Sequence, residues 1–293
     1  MLKKRDGIKG LPYLLILPVA VIMGLLVFYP MIITFSYSLQ KLKLTAPQDT
    51  EFIGLDNYIA ILKSDEFWYS FQNTMFLLVA VVLFTTVAGI FVACILHTDT
   101  KISGLLMAIA VLPWAMPPIV NGIIWKFIFH PGYGFMNKLL LNLNLTDKPV
   151  EWMSSRWLLL FVTAVVVAWR SVPFCAIVFM TGLKAIPAHL GEAAKIDGCG
   201  VMGIFRHITV PLMLPFIGIG VTSTSITALN IFDELVALAG YSDTGKNLLI
   251  QSYMTTFSFL DFGKGSALTY LIMLIAAVLG FFYVRNLNRE VEY

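Results

Sequence analysis

Six long stretches of the chain are apolar and almost free of charge. Each is at least as long as the ~20 residues that a helix needs to cross the ~30 Å hydrocarbon core of a membrane. The pattern therefore predicts six membrane-spanning helices, with Arg170 as the one charge in the middle of a span. The predicted spans are about 11–39, 71–97, 103–129, 157–183, 208–232 and 265–285.

Composition excludes a soluble globular protein. Hydrophobic residues make up 58% of the 293 residues and charged residues 13%, whereas soluble domains have about 45–50% and about 25%. Mean hydropathy is +0.83. The expected fold class is an all-α polytopic membrane protein, with residues 1–293 as a single transmembrane domain whose spans contact membrane lipid.

Charge and cysteine content exclude further classes. The net charge of +3 is small, so a nucleic-acid partner is not expected. Three cysteines, Cys94, Cys175 and Cys199, lie singly in or beside apolar stretches, which argues against a disulfide framework or a zinc site. The four histidines stand at separate places. We expect no metal and no cofactor.

An even number of spans places both termini on one side of the membrane. Four basic residues precede the first span, which favours cytoplasmic termini. The outer segments are then about 40–70, 130–156 and 235–264, and the inner segments are 97–102 and 184–207. No cleavage site follows the first apolar stretch, so it is expected to remain as a span.

Prolines recur within four of the six predicted spans. Backbone breaks at membrane depth are tolerated only where protein or a water-filled cavity satisfies the freed groups. The pattern therefore predicts either ordinary packing kinks or broken helices beside a cavity. The prolines are Pro18, Pro30, Pro113, Pro117, Pro118, Pro173, Pro211 and Pro215.

The inner segment 184–207 predicts two short helices outside the membrane. Pro187 suits a helix start, 188–197 is rich in helix formers, and Gly198 is a typical residue just after a helix end. A second helix, about 201–207, leads into the fifth span. This helix–turn–helix elbow exposes small residues for close approach by another surface. The alternative is an amphipathic linker on the lipid surface.

The elbow resembles the "EAA" signature of permease subunits in binding-protein-dependent ABC importers. Glu192-Ala193-Ala194 is followed after three residues by Gly198, and after nine more by Ile208 and Val210-Pro211. The family has leucine where Val210 stands. Asp197 and Phe205 also match. The resemblance implies contact with a cytoplasmic ATPase through Glu192, Ala193, Ala194, Asp197, Gly198, Phe205, Ile208 and Pro211.

Further motifs extend the resemblance along nearly the whole chain. The stretch 52–58, Phe-Ile-Gly-Leu-Asp-Asn-Tyr, is similar to the family's F-x-G-L-x-N-Y element. The ensemble resembles the first of two non-identical permease subunits of carbohydrate importers, in the maltose and glycerol-3-phosphate group. The family's T-x-G-G-P element is replaced here by Ala-Leu-Ala-Gly-Tyr-Ser-Asp at 237–243, which leaves the sugar unspecified.

The resemblance implies a mechanism and a set of partners. A second permease subunit would form a heterodimer with this chain in a bacterial or archaeal cell membrane. A cytoplasmic ATPase dimer would drive the helices through the elbow, and an extracytoplasmic binding protein would deliver the sugar. No G-x-x-x-x-G-K-[ST] phosphate loop occurs in the chain, so the chain is not expected to be an enzyme.

Polar residues on two spans are the candidate substrate path. Helical spacing places Arg170, Ser171 and Phe174 on one face of the fourth span. The same spacing groups Thr224, Thr227 and Ile231 on the fifth, with Asn230 adjacent. Hydroxyl, amide, aromatic and guanidinium groups together suit a sugar, and the Trp169-x-x-x-Pro173-Phe174 element is similar to the family's sugar-binding span. The alternative is ordinary interhelical hydrogen bonding, with Arg170 either paired to Asp233 or Glu234 or extended towards the membrane surface.

Two other function classes stay open on the residues alone. A polytopic membrane enzyme, such as a glycosyl- or phosphotransferase, would need a cluster of carboxylates, histidines or metal ligands at the membrane face, and Asp233-Glu234 has no such partner set. These two carboxylates are expected near the outer face, as interfacial groups or contacts for a binding protein rather than as proton relays. A stand-alone secondary carrier would not need the elbow.

Overall fold

The computed structural model describes residues 11–97 and 103–287. The basic flank before the first span and the inner segment 98–102 lie outside the described residues, and so do residues 288–293. The chain divides into two compact units: residues up to 64 with 252–271, and residues 65–251 with those from 272 onward.

The first unit combines helices with a small antiparallel pair of strands. The strands pair with Gln40 opposite Phe52 and Lys41 opposite Glu51. Its elements are α1 Leu11–Met23, a π-helical turn Gly24–Phe28, α2 Tyr29–Ser38, β1 Gln40–Lys41, a 3₁₀ turn Pro47–Asp49, β2 Glu51–Phe52, α3 Asp56–Leu62, a π-helical turn Met254–Ser258 and the start of α14, Phe262–Leu287.

Within this unit, the F-x-G-L-x-N-Y motif fastens the start of α3 to the end of α2. Buried Asn57 donates through Nδ2 to the carbonyls of Ser38 and Gln40, both at 2.9 Å. The hydroxyls of Tyr58 and Ser38 are 2.7 Å apart. Gly54 has φ +59°, a conformation that glycine adopts without steric cost. The motif therefore has a local structural role.

The second unit is a helical bundle. Its elements are α4 Asp65–His97, α5 Ser103–Val111, a 3₁₀ turn Leu112–Ala115, α6 Pro118–Ile128, α7 Phe135–Asn142, α8 Arg156–Ala185, α9 Ala188–Ile196, α10 Val201–Ile204, a π-helical turn Phe205–Thr209, α11 Val210–Leu229, α12 Asp233–Ala239, α13 Leu248–Tyr253 and the remainder of α14.

Among the described residues, five helical stretches are long and apolar enough to cross a membrane, or six if a bent pair counts as one span. The bent pair is the predicted third span, whose halves Gly104–Ala115 and Pro118–Ile128 meet at 98°. Residues before a proline avoid the α conformation, and Met116 and Pro117 have ψ of 135° and 138°. The consecutive prolines thus produce a break, and the count of six remains a prediction.

Two π-helical turns each end one residue before a helix that carries proline at its start. Gly24–Phe28 precedes Pro30, and Phe205–Thr209 precedes Pro211. Proline lacks an N–H and its ring collides with the carbonyl four residues earlier, and a widened turn accommodates both defects. As a result, the helix of the fifth span begins at Val201, so that the elbow's second helix and the span are continuous.

Close packing of three helices forms the core of the bundle. The ring of Phe179 on α8 is fully buried. A Cβ built on Gly89 of α4 would lie 3.1 Å from this ring, and one on Gly220 of α11 would lie 2.6 Å from it. Glycines at these positions let the helices approach, as small residues do in membrane bundles.

Candidate functional site

The elbow helix α9 ends in a glycine-dependent turn. Gly198 has φ +81°. Its N–H donates to the Lys195 carbonyl at 3.1 Å, and the Cys199 N–H donates to the Ala194 carbonyl at 2.8 Å. This pair of bonds is the Schellman arrangement, which needs a left-handed residue after the helix. Gly198 therefore shapes the elbow itself, a role that the sequence prediction did not separate from contact with a partner.

The predicted coupling residues differ in exposure. Glu192, Ala193, Asp197, Gly198 and Pro211 are exposed, whereas Ala194 is buried. Phe205 and Ile208 are half-buried at the base of the elbow. They line a cavity of about 450 Å³ together with Cys94, His97, Leu183, Ile186, Pro187, Ala188, Gly191, Lys195, Val201, Ile204 and Thr209.

Three large apolar side chains project from the tip of the elbow. Ile196 is 87% exposed, Val201 86% and Met202 75%. They flank the turn at Gly198. Sequence spacing alone did not single them out, because the signature lies in the small and acidic residues. A cluster of this kind marks a surface that another protein or the membrane covers.

Arg170 on α8 is held by a buried ion pair with Glu234 on α12. Its Nε donates to Glu234 Oε1 at 3.0 Å, with 18% of the arginine and 4% of the glutamate side chain exposed. The predicted pairing with Asp233 or Glu234 is thus with Glu234. The expectation that Glu234 contacts another protein at the outer face is wrong, because its side chain is buried, whereas Asp233 is exposed.

The other predicted residues of the fourth span are half-buried. The Ser171 hydroxyl donates to the Val167 carbonyl at 2.9 Å. The Phe174 ring lies 6.1 Å from that of Trp114 and packs against the core around Phe179. Trp169 and Pro173, on the same helix, belong to a different surface. They line an apolar groove of about 1010 Å³ with Leu83, Phe84, Val87, Ala88, Phe91, Val92, Ile109, Ala110, Pro113, Trp125, Phe161, Val165, Ala168 and Val172.

The fifth span differs from the predicted helical face. Helix α11 ends at Leu229 and Asn230 follows as its C-cap, so Ile231 is not on the helix and the predicted grouping with Thr224 and Thr227 is wrong for it. Ile231 is buried. Asn230 is exposed, and its Nδ2 donates to the Ile226 carbonyl at 2.8 Å.

The two threonines of this span have different surroundings. Thr224 is buried, with its hydroxyl 3.3 Å from Cys175 Sγ. Thr227 is half-buried and donates to the Ser223 carbonyl at 3.1 Å. Thr227 is therefore the more accessible hydroxyl of the pair, and Thr224 belongs to helix packing.

Two residues of α6 contact α8 and α12 close to Arg170 and Glu234, and the sequence prediction missed both. Asn121 is fully buried. Its Nδ2 donates to the Val166 carbonyl at 3.0 Å, and its Oδ1 has no partner among the described residues. A Cβ on Gly122 would lie 3.0 Å from the backbone of Glu234. No sequence motif indicates these contacts. They arise because the break at Pro117 redirects α6 towards α12.

The loop after α12 carries a buried lysine. Lys246 is 6% exposed, and its Nζ donates to Glu66 at 2.6 Å and to Asp243 at 2.8 Å. Burial alone would lower the lysine pKa, but the hydrogen bonds and charges of the two carboxylates outweigh it, so the Lys246 pKa is raised. Asn73 Nδ2 also donates to the Lys246 carbonyl at 2.7 Å. The loop is thereby fastened to the start of α4.

Replacing Lys246 with methionine is expected to destabilise the protein by about 1–2 kcal/mol, less than for a fully buried pair because both carboxylates are partly hydrated. Thermal unfolding of the purified protein measures this. A raised pKa means that the contribution is complete below the ordinary lysine value of about 10.4 and is lost as pH rises through the raised value. The wild-type advantage over Lys246→Met should therefore be constant from neutral pH to about pH 9. Exposed Lys264→Met is the control, and equal unfolding temperatures for both variants would contradict the role.

Comparison with known proteins shows which family the chain belongs to. Residues 85–293 match the family "binding-protein-dependent transport system inner membrane component". The chain is 33% identical over 286 residues to the trehalose/maltose transport system permease protein MalF of Thermococcus litoralis, covering 97% of this chain and 95% of that one. The chain belongs to this permease family. The resemblance seen in the sequence is confirmed.

A second relative and a solved structure agree with this family. The sulfoquinovosyl glycerol transport system permease protein SmoG of Agrobacterium fabrum is 30% identical, over 97% of this chain and 92% of that protein. A bacterial ABC transporter involved in import of the acidic polysaccharide alginate has a chain with a TM-score of 0.80 at 19% identity, covering 96% of both chains. The permease thus has the ABC importer fold.

Membership in the family decides between the importer permease and the membrane enzyme. The permease is a multi-pass inner-membrane component of an importer and not a catalytic subunit, because ATP hydrolysis takes place in a separate subunit. The alternative of a membrane glycosyl- or phosphotransferase is therefore wrong.

Proposed function

We propose that this permease forms half of the translocation path for a sugar or oligosaccharide. A second, non-identical permease completes the path, an extracytoplasmic binding protein delivers the sugar, and an ATPase dimer contacts the elbow. The observation that carries the proposal is similarity over 97% of the chain to permeases whose names specify trehalose/maltose and sulfoquinovosyl glycerol.

The exposed tip of the elbow supports its assignment to the ATPase. Ile196, Val201 and Met202 offer an apolar surface beside the acidic groups of Glu192 and Asp197. An apolar cluster of this size is stabilised by a protein partner that removes it from water. The elbow then lies in the cytoplasm, and with six spans both termini lie there too.

Copurification tests the assembly. A tagged permease, extracted in mild detergent, is expected to bring down an ATPase and a second permease. Reconstituted with its binding protein, the complex should take up radiolabelled maltose or trehalose only with ATP. Recovery of the permease alone, or uptake driven by an ion gradient without ATP, would contradict the proposal.

Accessible groups on the fourth and fifth spans support the proposed sugar path. Ser171, Phe174 and Thr227 are half-buried and Asn230 is exposed. Phe174 offers an aromatic face for the C–H surface of a sugar, and the polar groups offer hydrogen bonds for its hydroxyls. Thr224 and Ile231 are buried and are not available to a sugar in this conformation.

Phe174→Ala and Thr227→Val are expected to change substrate range or apparent affinity while the ATPase still copurifies. The Thr227 hydroxyl donates to a backbone carbonyl and keeps its lone pairs free to accept from a sugar. Loss of one such bond, worth about 0.5–1.5 kcal/mol, corresponds to a rise of roughly two- to tenfold in the half-saturating concentration. Uptake titrations with maltose and trehalose measure it.

Thr181→Val is the matched control for the threonine. Thr181 lies near the elbow end of α8 and makes the same intrahelical bond, to the Ile177 carbonyl at 3.0 Å. Its substitution should leave the uptake titration unchanged. If Phe174 and Thr227 are replaced together and uptake of every transported sugar is unaffected, other residues line the path.

A further inference from the structure

Arg170 uses one of its five donors. The guanidinium meets Glu234 through Nε alone, at 3.0 Å. Its two Nη atoms carry the other four N–H groups, and they make no hydrogen bond within residues 11–97 and 103–287. Part of the arginine side chain is accessible, whereas the glutamate is almost completely covered. The Nη donors of a partly accessible arginine are therefore left without a protein partner in the described part of the chain.

We propose that Glu234 is a positioning residue that makes this point of the path select for uncharged saccharides. The inference rests on the proposed sugar path along α8. Glu234 fixes the guanidinium so that its Nη edge can donate to sugar hydroxyls. It also cancels the arginine charge, and the pair then offers charge-assisted hydrogen bonds without a net attraction for anions.

The geometry distinguishes this role from simple structural pairing. An arginine–carboxylate pair that serves only stability is strongest in the bidentate arrangement, which would use Nη here. A buried ion pair is also weak evidence for stability, because apolar residues of similar volume often serve as well. One turn before Arg170, the buried Asn121 side chain donates to the Val166 carbonyl of α8 and leaves its own Oδ1 without a partner among the described residues, so α8 carries a second polar contact close to the pair.

A cysteine reporter at Ser171 tests the charge balance. Ser171 is adjacent to Arg170 and half-buried. The whole importer is assembled with Ser171→Cys in a background in which the exposed Cys94 and Cys199 are serine. The rates of modification by anionic and cationic methanethiosulfonates are then compared. Glu234→Gln should raise the anionic-to-cationic rate ratio at least about threefold, because it uncovers a positive charge in a medium of low dielectric constant.

Matched variants assign the effect to the pair. Asp233→Asn removes the adjacent exposed carboxylate and should leave the ratio unchanged. Glu234→Asp keeps the charge and should restore the wild-type ratio, which separates charge from misfolding. Adding Arg170→Gln to Glu234→Gln should return the ratio to near the wild-type value. A ratio that does not move with Glu234→Gln overturns the inference, even if the sugar path is correct.

Protection of the reporter tests selection. In the importer with the wild-type Arg170–Glu234 pair, millimolar maltose should slow modification of the reporter cysteine at least twofold. Maltobionate, the carboxylate analogue of maltose, should slow this modification only in the Glu234→Gln variant. Protection by maltobionate in the wild-type pair would overturn the inference. If the charge ratio shifts as expected but neither saccharide protects in either background, the proposed path itself is wrong and the selection role fails with it.

Discussion

Gly198→Asp is expected to abolish sugar uptake and to release the ATPase, while the amount of permease in the membrane stays near the wild-type level. Gly198 is exposed, and a Cβ there would meet no atom within 4 Å. The turn should still form, because aspartate is one of the few residues with a side chain that tolerate a left-handed backbone. The new carboxylate would nevertheless stand in the middle of the apolar tip formed by Ile196, Val201 and Met202. Uptake, copurification of the ATPase and immunoblots of membranes measure the three effects.

Because the backbone at Gly198 is left-handed, a control variant must separate backbone strain from the effect of the added charge. Its φ of +81° strains most side chains, and asparagine and aspartate tolerate such values best. Gly198→Asn therefore keeps the turn and a similar volume without the charge, and it should lose less uptake than Gly198→Asp. Normal uptake by Gly198→Asp would exclude the docking role. Disappearance of both variants from the membrane would instead show that the glycine serves folding.

Features set by local chemistry could be predicted from the sequence. The elbow helix begins after Pro187 and ends before Gly198, because proline and glycine act on the backbone through their own geometry and need no distant partner. The apolar stretches likewise correspond to helices, since a chain in lipid must satisfy its backbone internally. The helix of the second span begins at Asp65, earlier than the apolar pattern, because Asp65 and Glu66 suit the first turn of a helix.

Features that depend on tertiary contacts could not be predicted in the same way. Arg170 and Glu234 are 64 residues apart, and no periodicity links them. Helix spacing also failed at Ile231, because α11 ends at Leu229, where the backbone turns into α12. The prolines of the third span left an ordinary kink and a broken helix both open, whereas the 98° angle and the contact of Gly122 with Glu234 follow from packing of the finished bundle.

Gly220→Val should reduce the amount of folded permease and lower the unfolding temperature of what remains. The Cβ alone would lie 2.6 Å from the ring of Phe179 and 3.4 Å from Cys175 Sγ. The ring cannot retreat, because Gly89 packs on it from α4. Overpacking of this kind costs about 1–3 kcal/mol, a large part of the 5–15 kcal/mol that stabilises a typical protein.

A matched variant and a compensating change make this last expectation specific. Gly280→Val, on α14, places the same side chain where no atom lies within 4 Å of the new Cβ, and its level in the membrane should equal wild type. Phe179→Leu removes part of the obstructing ring, so the double variant Gly220→Val, Phe179→Leu should recover more folded protein than Gly220→Val alone. If Gly220→Val and Gly280→Val are equally stable, the helices of the bundle do not approach as closely at Gly220 as the structure indicates.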